Sequence, residues 1–554
     1  MNEEIQPIRC LAALFLAAAI FMSASVDSTP AQGESHGDAA DLFAKAYELP
    51  RDVFDLSAFD RFRSNGKLDV AAASKFLGDL SDKNLPMAQS LFDVFAWKAF
   101  LALNWAAKPD GEPDPGKDFK DVQSPRVWEF WEPSSEIFLA AGQKPRPWSN
   151  SPTNAALDHF KAGWRMNVAV NEGKQAFSGP LIDQNGNWVH YVSLVNRAEF
   201  DYIVENELYN LEGQAAYLNE HRIEFPLNDD LRYGAIEIKL AWKILTSEEE
   251  KSGRFFVRRM PVVRYRPPAP QVAPETPPAH KSGRTTDNGT SPPPEEKTVG
   301  LVGMHIAMRT RSSSQWIWAT FEQIDNTRLD PATAEAAHPL PPKPSLSNPD
   351  DPEALVLANV LPPYNAAGGV QDWDESEPLR PVEVLRLVPP PQGTAKVNAL
   401  AQSYLRSQGS VFRFYELDGT QWPKHPKAPA IPGGQDSAPQ SITRKMPGEV
   451  VPVYLTNSTM ETYFQKGFQA AGPLEQDDRL GPNSSVDTRM VFGTESCVGC
   501  HYSAGACIGF RKGADGTPQP IFGENGNGGD TGNANFSWLL QLEAKSKAMK
   551  ASSH

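Results

Sequence analysis

A chain of 554 residues that carries 49 prolines cannot be built from long helices. Proline has no backbone N–H to donate and its ring clashes inside a helix, so each one favours a turn, an extended segment or a sheet edge. Two stretches concentrate them. Residues 267–297 are dense in Pro, Thr, Ser and charge, can bury little apolar surface and read as a disordered surface insertion. Residues 328–395 read as extended loops laid over a scaffold. Around them, 234–245 (GAIEIKLAWKIL) and 254–265 (GRFFVRRMPVVR) read as strands or a strand–helix mixture, and 299–310 (VGLVGMHIAMRT) with 315–322 (QWIWATFE) as a strand pair. Asn185 and Gly186, between apolar stretches, read as a hairpin turn. Residues 91–105 (LFDVFAWKAFLALNW) are apolar nearly all round yet too short to span a bilayer, which predicts a buried core helix. The expected fold class is α+β: a mixed, strand-rich central body with helices and long Pro-rich loops, followed by a mostly helical C-terminal region.

Thirteen tryptophans and 28 phenylalanines supply the large apolar side chains that such a core needs. The net charge of −15 speaks against sequence-independent nucleic-acid binding, which requires Lys and Arg to neutralise phosphates, and favours a basic docking partner. At the N-terminus, Arg9 precedes an unbroken apolar run over 11–22, and Ser23, Ala24 and Ser25 follow. This is the form of a secretory signal peptide over 1–25, with an uncleaved anchor as the alternative, and no second stretch reaches membrane-spanning length. The expected division is then 1–25 leader, 26–445 α+β body, and 446–554 a separate C-terminal region, with the protein exported to the periplasm.

Cysteine usage points into that last region. Of four cysteines, Cys10 falls in the leader and Cys497, Cys500 and Cys507 cluster, so a dispersed disulfide framework is excluded. Ser458 to Glu461 has the capping-box form and predicts a helix with Met460, Phe464 and Phe468 on one stripe. Residues 488–492 read as an extended lead-in, 522–534 as a Gly/Asn-rich loop, and a last helix is expected from about Phe536, capped by Asn535, with Phe536, Leu539 and Leu540 facing inward.

Between these, Cys497, Cys500 and His501 form C-x-x-C-H, the attachment pattern of c-type haem. Residues i, i+3 and i+4 share one face of a helical turn, so two sulfurs can reach two vinyl groups while the imidazole of His501 meets the iron. Ser496 suits the cap of that turn, and the other nitrogen of His501 is expected to donate to a backbone carbonyl. One covalent haem c is therefore the expected cofactor, bound by Cys497, Cys500 and His501, with His501 the metal ligand. The competing reading is zinc, for which Cys497, Cys500, His501 and Cys507 offer three sulfurs and a nitrogen.

The segments 457–465 (NSTMETYFQ), 496–501 (SCVGCH) and 535–540 (NFSWLL) resemble those of long bacterial monohaem cytochrome c-like proteins. So do 95–105 (FAWKAFLALNW), 302–310 (VGMHIAMRT) and 315–326 (QWIWATFEQIDN), so that the resemblance covers most of the chain. It implies haem binding and electron transfer with a redox partner protein, and no particular reaction. The rival functions are a haem enzyme, peroxidase- or oxidase-like, with an open distal site, and a zinc-stabilised binding module. The second axial ligand stays open among Met490, Met460, His305 or none, since Met549 is the only methionine after the motif. Cys507 could share a helical face with Cys500, as a packed thiol near the haem.

Overall fold

The computed structural model describes residues 36–148, 181–262, 295–313, 315–327, 344–348, 359, 381–386, 389–424, 450–452, 454–464, 496–502, 504–514, 516–523 and 532–547. The leader 1–25, Met490 and the lead-in 488–492 lie outside them, as does most of 267–297. The last three residues of that expected insertion are strand instead, because they pair with β6 below.

A two-residue hairpin, β1 (Arg63–Ser64) with β2 (Lys67–Leu68), leads into helices α1 (Val70–Lys83) and α2 (Leu85–Leu103). An eight-stranded sheet follows, built from β3 (Glu132–Pro133), β4 (His190–Val195), β5 (Ile236–Ile244), β6 (Val257–Val262), β7 (Glu295–Arg309), β8 (Trp316–Gln323), β9 (Tyr415–Pro423) and β10 (Val450–Val451). Its order is β10-β9-β8-β7-β5-β4-β3 with β6 also on β7, and every pairing is antiparallel. Helices α3 (Arg197–Glu205) and α4 (Leu211–Leu218) follow β4, and α5 (Gln392–Ser407) precedes β9. The α+β class holds.

The expected core helix is α2. Asn84 Oδ1 accepts from Met87 N at 3.2 Å and Pro86 fills the first turn, where its missing N–H costs nothing. Asp93 within it and Asn104 at its end are buried and bonded rather than turned to water. Asp93 accepts from Thr394 Oγ1 at 2.8 Å, and Asn104 Oδ1 accepts from Trp128 Nε1 at 3.1 Å. Trp97 Nε1 donates to Asn398 Oδ1 at 2.9 Å, tying α2 to α5.

Both helices cover one face of the sheet, where Ile236, Ile238, Leu240, Trp242, Met304, Ile306, Met308, Ile317, Phe321 and Leu417 form the main core. The alternation is interrupted on β7. Ala241 pairs with Gly303 but Trp242 pairs with Leu301, so Val302 is an extra residue that reverses the parity of the strand. Leu301 therefore faces the main core, although simple alternation would put it on one face with Gly303, His305 and Ala307. The latter three share the opposite face.

That second face receives the C-terminal residues. Ala307, Trp316 and Trp318 share a core with Val498, Tyr502, Cys507, Phe536 and Leu540. The C-terminal region is not mostly helical among the described residues. It holds one turn of helix, α6 (Cys497–His501), then a hairpin of β11 (Cys507–Lys512) with β12 (Pro518–Phe522), then a second short helix, α7 (Leu539–Leu542). The helix expected at 458 is a bonded turn and a three-residue 3-10 segment, Thr462–Phe464. Its cap is Asn457, one residue earlier than predicted: Asn457 Oδ1 accepts from Thr459 N at 2.8 Å and Glu461 accepts from Asn457 N at 2.8 Å. Met460 and Phe464 are buried as expected, and Phe468 lies outside the described residues. The last helix starts at Leu539 instead of Phe536, because Asn535 and Phe536 take left-handed backbone angles, φ 49° and 71°. Phe536, Leu539 and Leu540 do face inward.

Candidate functional site

The face of the sheet opposite the main core carries three cross-strand rows. Glu237, Ala307, Trp318 and Gln421 form the first; Lys239, His305, Thr320 and Gly419 the second; Ala241, Gly303 and Glu322 the third. Cys497, Cys500 and His501 are laid on this face by α6.

Four contacts fix that helical turn. Ser496 caps it, its Oγ accepting from Gly499 N at 3.3 Å. Gln421 Oε1 accepts from Val498 N at 2.7 Å while its Nε2 donates to Ser496 Oγ at 2.7 Å, so a sheet side chain satisfies two groups of the helix start. The ring of His501 lies 4.3 Å from that of Trp318. Replacing Gln421 by Ala would leave the Val498 N–H without its acceptor, an expected loss of about 1–3 kcal/mol; denaturant unfolding against wild type measures it.

His501 is also held from its far side. Its Nδ1 lies 2.6 Å from the carbonyl oxygen of Phe536. Phe536 reaches that position through the two left-handed residues, a conformation that costs a non-glycine residue about 1–2 kcal/mol. Trp316 Nε1 donating to Asn535 O at 2.8 Å, and Phe225 N donating to Asn535 Oδ1 at 3.1 Å, hold the strained segment in place. Burial pushes the imidazole of His501 down to about 4, against an upward pull from the Phe536 carbonyl, with the charge of His305 lowering it further. The ring is neutral at ordinary pH, which is the form that ligates a metal.

The turn of residues 457–461 is clamped onto the same face. Asn457 Nδ2 donates to Thr320 Oγ1 at 2.7 Å and to Phe321 O at 3.1 Å, and Glu322 accepts from both the backbone N–H and the hydroxyl of Ser458. This brings Glu461 Oε2 to 3.4 Å from His305 Nε2. Burial alone would raise the Glu461 carboxyl, yet it is held below its usual range, by His305 first and with Lys239 contributing. Lys239 is pushed down by burial and pulled up by Glu461 and Glu237. The clamp depends on Gly303: a Cβ there would meet Thr459 Oγ1 at 2.3 Å and Met460 Cε at 3.2 Å. Gly303→Ala is therefore expected to destabilise the fold by about 1–3 kcal/mol, read from a denaturation midpoint.

The structure thus keeps Cys497, Cys500 and His501 together, and both thiols are free of disulfides. It separates Cys507 from them. That residue opens β11, its N–H donates to Gln214 Oε1 at 2.8 Å, and its thiol faces Gly509 O at 3.3 Å within the apolar cluster. The shared helical face expected for Cys507 and Cys500 does not form, because the helix ends at His501. Among the described residues no three His, Cys, Asp or Glu side chains converge as ligands of one ion. That geometry does not fit a zinc site made from Cys497, Cys500, His501 and Cys507. It fits haem attachment, in which the two sulfurs bond to separate carbons and only His501 meets the metal. Met460 packs among Tyr191, Ala241 and Val302, away from the cluster around His501.

Lys239, Glu461, Trp318, Gln421 and the Phe536 carbonyl went unrecognised in the sequence. The alternation of Glu237 and Lys239 with Ile236, Ile238 and Leu240 was the available signal for a polar sheet face. A cleft of about 930 Å³ bordered by Trp131, Trp148, Arg197, Tyr202 and Arg232 lies elsewhere, and none of Cys497, Cys500 and His501 lines it. Among the described residues no helix is long and apolar enough to cross a membrane. Comparison of the chain with family models, with curated proteins and with solved structures finds no match in any of the three.

Proposed function

We propose that the chain is an exported c-type cytochrome that carries one covalent haem and transfers electrons to or from a redox partner protein. The observation that carries this reading is the 2.6 Å contact of His501 Nδ1 with the Phe536 carbonyl, on the same turn as the thiols of Cys497 and Cys500. With Nδ1 committed to that acceptor, Nε2 is left as the ligating nitrogen and the tautomer is fixed. Cys497 and Cys500 would hold the haem, each thiol adding across one vinyl group, sulfur to one carbon and hydrogen to the other, with no net oxidation. The haem supplies one-electron exchange between Fe(III) and Fe(II). Trp318 and the strained Asn535–Phe536 backbone keep the His501 ring from turning, and the surrounding apolar cluster limits water at the site.

The resemblance to long bacterial monohaem cytochrome c-like proteins, the secretory form of 1–25 and the acidic charge support periplasmic location and a basic docking surface on the partner. The polar set Lys239, His305 and Glu461 favours a second reading, a haem enzyme that binds a small oxidant beside these groups. Pyridine haemochrome spectra and haem staining after denaturing electrophoresis test attachment. A band carrying one haem per chain is expected, and it disappears when Cys497 and Cys500 are both replaced by Ser. A colourless, unstained protein recovered from a periplasm competent for haem attachment overturns the proposal.

A further inference from the structure

We propose that His305 supplies the second axial ligand, meeting the iron on the side opposite His501; this rests on the haem reading above. His305 and Trp318 are diagonal neighbours on one sheet face, since Ala307 lies directly opposite Trp318 and His305 is two residues from Ala307 on β7. Such neighbours are about 7–8 Å apart between backbones, within reach of an imidazole. His501 lies 4.3 Å over the Trp318 ring. The two histidines thus both adjoin Trp318, one from the sheet and the other from α6.

The chemistry of His305 agrees with its position. Its Nε2 is buried and makes no hydrogen bond among the described residues. Its nearest acidic atom, Glu461 Oε2 at 3.4 Å, lies outside hydrogen-bond geometry. Coordination would replace this long ion-pair contact with a directed bond to Nε2. Glu461 then acts as a positioning residue that limits the rotation of the His305 ring and offsets the charge of the iron centre.

The other candidates are placed less well. Met460 sits over Gly303, one row beyond His305 from Trp318, and its side chain fills the cluster with Tyr191 and Val302. Lys239 shares the row of His305, but its Nζ lies 5.3 Å from the centre of the Tyr191 ring on β4, the side of that row away from β8.

The test uses the purified holoprotein, with haem content measured first by pyridine haemochrome. Wild type is expected to be low-spin in both oxidation states, with the magnetic and near-infrared signature of two imidazoles, and its ferrous form should refuse carbon monoxide. His305→Ala should keep one haem per chain, turn high-spin and bind carbon monoxide, and added imidazole should restore the low-spin spectrum. His305→Met should gain a sulfur-to-iron charge-transfer band and a higher reduction potential. Met460→Leu should leave the wild-type spectrum unchanged. A high-spin wild type, a sulfur band in wild type, or a His305→Ala spectrum identical to wild type overturns the ligand assignment while attachment stands. Absence of haem from every form overturns the attachment itself.

Discussion

Replacing Asp325 by Ala is expected to lower the stability of the protein by about 3–5 kcal/mol, the cost of stripping a buried charge of its partner. The partner is Arg254. Its Nε and one terminal nitrogen meet the two carboxylate oxygens of Asp325 at 2.6 and 2.7 Å, and the side chains are 1% and 2% exposed. Gln323 Nε2 adds a bond to Asp325 Oδ2 at 3.0 Å, and the guanidinium lies 4.3 Å from the centre of the Phe414 ring. With the carboxylate gone, the cation is left between β8 and the segment before β9 with no water to solvate it. Arg254→Met with Asp325→Leu should recover most of the loss, because removing both charges also removes their desolvation cost. Urea unfolding of the two singles and the double measures this. Single-variant losses below 1 kcal/mol would mean that the pair is solvated.

The parts of the fold that could be read from the sequence are those with an unbroken period. Helix α2 announces itself because its apolar residues run nearly all round, and β7 with β8 because apolar residues crowd 299–308 and 316–321. Where the period breaks, local pattern fails. The bulge at Val302 changes which side Leu301 faces, and nothing in VGLVGMH marks it, since Val and Leu are equally apolar on either side. The C-terminal hairpin was hidden for the opposite reason: CIGFRK and PQPIF mix charge and proline and lack alternation, and the strands are joined through a tight Gly513–Thr517 turn. The candidate site divides in the same way. Cys497, Cys500 and His501 lie within one turn, so their spacing alone aligns them. Gln421, Trp318 and His305 come to them only through strand pairing. Phe536 contributes a backbone carbonyl, which no side-chain pattern encodes.

Stability should fall as pH rises from about 4.5 to 8, and two buried carboxyl groups behind the site should contribute to the trend, beside Asp52, Asp93 and Asp183, which burial raises to about 6. Glu199 on α3 is fully buried and neither carboxyl oxygen has a hydrogen-bond partner among the described residues. Burial drives its carboxyl well above the usual range, and the neighbouring charge of Glu237 adds to this. Glu237 is raised to about 7, by burial first, with Ser537, Lys239 and His305 acting to lower it. Both groups are therefore protonated in the folded chain at a pH where the unfolded chain has lost those protons. The sign follows from linkage. A carboxyl whose folded value lies above its unfolded one contributes fully below about pH 4.5, and that contribution is lost as pH climbs through its folded value. For Glu237 the loss is on the order of 3 kcal/mol by pH 8. Glu237→Gln should thus be near neutral at pH 4.5 and stabilising by about that amount at pH 8. Glu199→Gln should act in the same direction, since a neutral amide removes the requirement to hold a proton against the solvent. Denaturation midpoints across this range decide the matter: parallel curves for wild type and both variants would show that these carboxyls titrate alike in the folded and unfolded chain.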